Sequence, residues 1–172
     1  MLTESGVKII EFNARWGDPE AEVILPSIKT EYLKITEAIL SGKLKNLKIK
    51  TDNKVRISVA GASKGYPNDT SKVKGKEIHG LEKAMKLPGV NIFGSGVKKE
   101  GNKFYANGGR LFYVVGEGND VVEARKIAYK AMKLISIEGD NLHYRTDIGW
   151  RDVIRFKELN ANKKKEVALD FS

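Results

Sequence analysis

The sequence predicts an α+β protein in two parts: a strand with two helices, then a small antiparallel sheet carrying one packed helix. Three observations point there. The opening run "GVKIIEFNAR" (6–15) alternates as a strand does, the run from Gly89 to Gly118 reads as consecutive strands broken by glycine turns, and Asp120 to about Ile135 repeats its apolar residues at helical spacing. Sheet strands that follow one another with short turns favour antiparallel pairing, and a single helix suffices to cover one face.

The elements follow in order. In the opening run Ile9, Glu11, Asn13 and Arg15 share one face and Lys8, Ile10, Phe12 and Ala14 the other. Asp18 then reads as a helix N-cap and Pro19 as the first helical residue, with Glu20 and Glu22 suiting the positive helix end. Pro26 breaks or kinks that helix. A second helix is predicted from about Thr30 to Ser41, with Leu33, Ile39 and Leu40 turned inward and Gly42 as its stop. "KLKNLKIKTDN" (43–53) is polar and lysine-rich and reads as the passage between two units. "KVRISVAGASKGYP" (54–67) is a strand entering a turn, and a hairpin is predicted around Glu100-Gly101-Asn102. Val121, Ala124, Ile127, Ala128, Ala131 and Ile135 mark the packed helix, and "NLHYRTDIGWRDVI" closes the unit near residue 155. The division predicted is 1–50, 51–155, and a polar C-terminal tail over 156–172.

Composition bounds the class. With 172 residues, 41% apolar and 31% charged, the chain can bury an ordinary core. There is no apolar run of the ~18 residues or more that a membrane span needs, so no membrane partner is expected. The absence of cysteine excludes disulfides and thiolate metal sites, and the simplest location is cytoplasmic. The net charge of +9 collects in Lys43, Lys45, Lys48 and Lys50, in Lys72, Lys74 and Lys76, and in Lys163 to Lys165. No aromatic residues interleave with these lysines as stacking platforms, which disfavours a nucleic-acid partner. A lysine-rich solvated face accounts for the charge.

The chemistry sits in Glu11, Asn13 and Arg15. A carboxylate and an amide two residues apart on one strand face are hard oxygen donors about 6 to 7 Å apart along the strand, and Arg15 adds a fork suited to phosphate. That makes a compact Mg²⁺-phosphate reader; an ordinary polar strand face is the alternative. Other motifs carry less. "GSG" (94–96) and "GEG" (116–118) lack the Gly-Lys-Ser/Thr of a phosphate loop, and "NGGR" (107–110) reads as a tight turn that leaves Arg110 a candidate for a substrate phosphate. His79 and His143 have no carboxylate pattern between them and read as surface or hydrogen-bonded core residues rather than metal ligands.

The run "EFNARWGDPEAEVILP" (11–26) resembles the signature of the phosphoribosylamine–glycine ligases, ATP-grasp enzymes of purine biosynthesis, in which Arg and Leu or Phe precede Gly-Asp-Pro-Glu. Trp16 replaces the usual Leu or Phe. "SKGYP" (63–67), "NGGR", "EARKIAY" (123–129) and "YRTDIG" (144–149) also resemble that family's C-terminal portion, in the expected order. The resemblance implies that 1–50 is the end of an ATP-grasp domain and 51–155 the family's C-terminal domain. It implies an enzyme joining glycine to 5-phosphoribosylamine through glycyl phosphate, with ATP as co-substrate. Glu11 and Asn13 would hold Mg²⁺ or Mn²⁺, and Arg15 would be the catalytic and ATP-phosphate contact. Asp18 is a helix cap, or a cap that also recognises the amine substrate. The family's N-terminal ATP-binding lobe has no counterpart here, so the implied partner is that missing portion, on a separate chain or encoded upstream. The chain alone is expected to be inactive and, with its first strand and helices deprived of neighbours, to self-associate. A catalytically idle binding or assembly module with a basic surface is the competing reading.

Overall fold

The computed structural model describes the backbone of residues 2–169 and the side chains of 3–161. The side chains of Lys163 to Lys165, and residues 170–172 of the predicted tail, lie outside that description.

The order of elements begins with two two-residue strands, β1 (Leu2–Thr3) and β2 (Gly6–Val7), paired with each other. The strand predicted over the rest of "GVKIIEFNAR" does not form: residues 8–13 have no regular structure. An isolated strand leaves its amides and carbonyls unpaired, and among the described residues no neighbouring strand lies alongside this one. Helix α1 (Glu20–Ile24) follows and gives way at Pro26 to a 3₁₀ turn over Leu25–Ser27, as expected. Its start differs from expectation. Pro19 occupies the cap position, Asp18 makes no cap bond, and the turn closes instead through Glu20: Gly17 N–H donates to Glu20 Oε2 (2.7 Å) and Glu20 N–H to Gly17 O (2.8 Å).

Helix α2 (Tyr32–Leu40) falls inside its expected span and stops before Gly42, whose φ of 67° suits the residue after a helix. Its inward face was misread. Ile35 is the buried residue, whereas Leu33, Ile39 and Leu40 are exposed, Leu40 at 83%. Helical spacing identifies an apolar stripe but not whether a neighbour covers it. The lysine-rich passage returns along the 3₁₀ turn: Lys29 N–H donates to Lys50 O (2.8 Å) and Asp52 N–H to Ser27 O (2.9 Å).

The second part holds two four-stranded antiparallel sheets rather than one. The strands are β3 (Val55–Ser63), β4 (Glu77–His79), β5 (Val90–Gly94), β6 (Val97–Glu100), β7 (Lys103–Ala106), β8 (Arg110–Gly118), β9 (Ser136–Ile137) and β10 (Leu142–His143). One sheet runs β10-β3-β8-β5 and the other β6-β7-β4-β9. The expected hairpin joins β6 to β7, and the turn at Asn107–Gly109 then carries the chain from one sheet to the other. A short helix, α3 (Leu81–Met85), links β4 to β5.

The core forms where helix α4 (Val121–Met132) covers β3 and β8. Asp120 caps it, its side chain accepting from Glu123 N–H at 2.8 Å. Val59, Leu111, Phe112, Val114, Ala124, Ala128 and Met132 are fully buried; burying a side chain of Val to Phe size stabilises by about 1.5–3 kcal/mol. Small residues on α4 let it lie close to the sheet. A Cβ at Gly116 would stand 2.3 Å from Ala124 O, so the glycine of "GEG" serves helix packing. Helix α5 (Trp150–Leu169) closes the chain and carries the backbone of the predicted tail through residue 169.

Candidate functional site

Among the residues singled out in the first part, Asn13 and Arg15 are bonded to each other and Asp18 reaches the second part. Arg15 Nη1 donates to Asn13 Oδ1 (3.1 Å) and to the carbonyl of Trp16. The bond orients the Asn13 amide, and both side chains line an open depression with Trp16 and Glu20. Glu11 is exposed on the same segment. Because this stretch is irregular, sheet geometry does not set a shared face for the three side chains; Asn13 and Arg15 are brought together by their own hydrogen bond.

Asp18 leaves its expected cap position for Arg110, at the start of β8: the carboxylate and guanidinium stand 3.1 Å apart. Arg110 also lies 5.9 Å from the ring centroid of Tyr66, in the "SKGYP" turn. That turn is fastened to "NGGR" by Ser63, whose N–H donates to Gly109 O and whose hydroxyl donates to Gly108 O, each at 2.8 Å. Three separate motifs thus converge on one pair of opposite charges. Beneath them Tyr113 is buried, and its hydroxyl makes no hydrogen bond meeting ordinary geometry. Burial holds the phenol well above its usual range, and the Asp18 carboxylate pushes the same way. Glu22 Oε2 is likewise buried without a hydrogen-bond partner.

A second connection was not visible in the sequence. Arg56, on β3, has a side chain only 3% exposed. Its guanidinium grips Asp52 with two bonds (2.9 and 2.6 Å), meets Glu117 on β8, and reaches Pro26 O at 3.5 Å. Lys29 completes the group at 2.9 Å from Asp52. Hydrogen bonds from Arg56 and Lys29 hold the Asp52 carboxyl far below the ordinary carboxylate range, and Asp52 in turn raises Arg56. The one signal in the sequence was an arginine inside the otherwise apolar "VRISVAGA".

The remaining motifs are structural. Arg125 Nε donates to Ile148 O (2.8 Å) and Arg125 Nη2 to Thr146 O (2.7 Å). Tyr129 Oη donates to Arg145 O at 2.8 Å and accepts from Ile148 N–H at 3.1 Å. "EARKIAY" and "YRTDIG" are thereby a helix and the loop bound to it. Within that loop the Arg145 guanidinium holds the Asp147 carboxyl below its usual range.

Known proteins resemble this chain over most of its length. Residues 56–151 match the family model described as "Phosphoribosylglycinamide synthetase, C domain". The phosphoribosylamine–glycine ligase of Caldanaerobacter subterraneus subsp. tengcongensis is 46% identical over 148 residues, 86% of this chain and 34% of that protein. The bovine trifunctional purine biosynthetic protein adenosine-3 is 37% identical over 173 residues, all of this chain and 17% of that protein. Among solved structures, the Thermotoga maritima phosphoribosylamine–glycine ligase matches with a TM-score of 0.60 at 32% identity, over 86% of this chain and 34% of that one. The chain thus spans about a third of the length of the single-function relatives it matches. With its model matched over more than half of the residues, the chain belongs to the family of the phosphoribosylglycinamide synthetase C domain.

Proposed function

We propose that this chain is the C-terminal part of an ATP-dependent ligase that joins glycine to 5-phosphoribosylamine, giving glycinamide ribonucleotide through glycyl phosphate. Residues 1–50 are, on this reading, the end of an ATP-grasp domain, and residues 51–155 the family's C-terminal domain. The nucleotide-binding lobe comes from a partner polypeptide or from sequence joined to this one. The observation that carries the proposal is the Asp18–Arg110 pair, which ties the segment following the Asn13–Arg15 pair to the second part of the chain. The comparisons do not favour the idle binding module.

The donor set suits Mg²⁺ or Mn²⁺. Glu11 and Asn13 offer hard oxygens, both are exposed, and Arg15 fixes the Asn13 amide while its oxygen keeps a second lone pair. When bound, the metal neutralises charge on the ATP phosphates. Arg15 would stabilise the oxygens of the phosphoryl group as it moves to the glycine carboxylate. Asp18 accepts hydrogen bonds from the amine that attacks the acyl phosphate, and Arg110 faces the phosphate of that substrate. Beneath the pair, burial keeps the Tyr113 hydroxyl itself protonated.

The test is reconstitution. The chain is mixed with a polypeptide carrying the N-terminal two-thirds of a relative, and glycine-dependent ADP release is measured. Turnover in the mixture, and none with either part alone, is expected. A folded lobe that associates with the chain yet gives no turnover would overturn the assignment.

A further inference from the structure

We propose that Glu77, His79 and Glu138 form a binding site for a zinc-type transition-metal ion, on the sheet that does not carry the ligase corner. His79 and His143 show no carboxylate pattern between them in sequence, but the fold gives His79 two carboxylate neighbours. Glu77 and His79 are alternate residues of β4 and so share a face. The β4–β9 register pairs Ile78 with Ile137, which sets Glu138 directly across from Glu77; Glu138 N–H donates to Glu77 O at 3.2 Å. One donor atom from each of the three side chains lies within 4.8 Å of the other two.

Two carboxylates directly opposite on neighbouring strands repel each other, so the arrangement calls for a cation. Lys103 answers part of that need, 2.8 Å from Glu77 Oε2, and Lys76 lies close to Gly139 in the following turn. Lys103 engages only one oxygen of Glu77. The other, Oε1, is 3.6 Å from His79 Nδ1. Glu138 is held in the same manner, its Oε2 accepting from Glu77 N–H at 3.2 Å. Each carboxylate therefore has one oxygen fixed by an outer donor and one free to ligate, which is how metal-binding carboxylates are commonly supported.

An imidazole beside two carboxylates selects zinc, cobalt or nickel rather than magnesium or calcium, which take all-oxygen sets. Zinc with such ligands bonds at about 2.0–2.2 Å and so needs the donors roughly 3–3.5 Å apart. His79, about half exposed, can close that gap by rotation. The hollow between β4 and the β6–β7 hairpin, lined by Lys83, Asn102 and Phe104, lets water fill the remaining coordination positions. A bound ion would clamp the two-residue β9 to β4.

Metal-free chain is titrated with Zn²⁺ by calorimetry and with Co²⁺ by visible absorption. One equivalent of each should bind, Zn²⁺ should raise the melting temperature, and excess Mg²⁺ should not compete. His79→Ala and Glu138→Gln should each weaken binding at least about tenfold, with circular dichroism unchanged because both side chains are exposed. His143→Ala should leave it unaltered. Absence of saturable binding up to about 1 mM metal, or binding that His79→Ala leaves at full strength, would overturn the site. The outcome is independent of the ligase assay, which reads a different sheet.

Discussion

The first fifty residues and the unit from Val55 to Ile148 are built on opposite terms. The second buries its own core: Val59, Phe112, Val114 and Met132 are sealed between two central strands and a helix. The first presents Val7, Ile9, Ile10 and Phe12 in nearly unbroken succession at 70–89% exposure, with Leu33 and Leu40 also open. Soluble chains seldom leave so much contiguous apolar surface uncovered unless something docks there. Glu11, Asn13 and Arg15, proposed above to hold the metal and the ATP phosphates, lie in the region that does not cover itself, whereas Arg110 belongs to the other. On the proposed function, self-sufficiency and reactivity are divided between the two regions, and a partner that covers the first would also complete the site.

Hydrogen exchange should sharpen this contrast most. Amides of β3 and β8 open only with global unfolding, which for a domain of this size slows exchange by about 10⁴-fold or more. Amides of residues 9–13, which lie in no strand, should exchange near the free-peptide rate and become protected when the N-terminal lobe is added. Equal protection in both regions of the isolated chain would break the comparison.

Activity comes next. Glu11→Ala should abolish turnover in the reconstituted ligase, and Arg15→Ala should lower kcat by about 10²-fold or more, both without moving the melting temperature, since neither side chain is buried. Parent-level turnover in Glu11→Ala would remove the metal role from that residue.

The two regions are joined by Arg56, and removing it should cost about 3 kcal/mol by urea unfolding, because Arg56→Ala strands Asp52 and Glu117. The same group sets an acid limit. Asp52 is depressed in the fold, so its contribution is complete above the unfolded carboxylate value of about 3.9 and is lost as pH falls below it. The melting temperature should hold steady from neutral pH to about pH 5 and then drop. Asp52→Asn should lower the plateau and flatten that drop; an unchanged acid slope would show that the group does not bind the two regions.

What was legible in the sequence divides along the same line. Helix α4 and the β6–β7 hairpin were both readable, because each rests on contacts within a few residues. The two-sheet arrangement was not, since the switch at Asn107–Gly109 depends on strands distant in sequence finding each other. The missing strand at 8–13 and the outward turn of Leu33, Ile39 and Leu40 share one cause: alternation and helical spacing specify which residues want cover, and only a neighbour provides it. At the site, the motif residues Glu11, Asn13, Arg15, Asp18 and Arg110 were all named from sequence, but the Asp18–Arg110 contact and the Arg56 cluster were invisible because they join separate halves. The same holds for Glu138 across from Glu77.

The smallest effect on stability, and the most discriminating, belongs to Asp18–Arg110. Both side chains keep over a third of their surface in water, so breaking the pair should change stability by about 1 kcal/mol or less. Its weight should appear in the reconstituted enzyme instead. Arg110→Ala removes the guanidinium that faces the substrate phosphate and should raise KM for 5-phosphoribosylamine while leaving KM for ATP alone. Asp18→Asn keeps the shape of the corner but weakens its hold on an amine, so kcat should fall more than KM rises. If both variants instead lowered kcat and raised every KM equally, the pair would be a clasp holding the first region in place, and the corner would owe its chemistry to Arg15 and its neighbours alone.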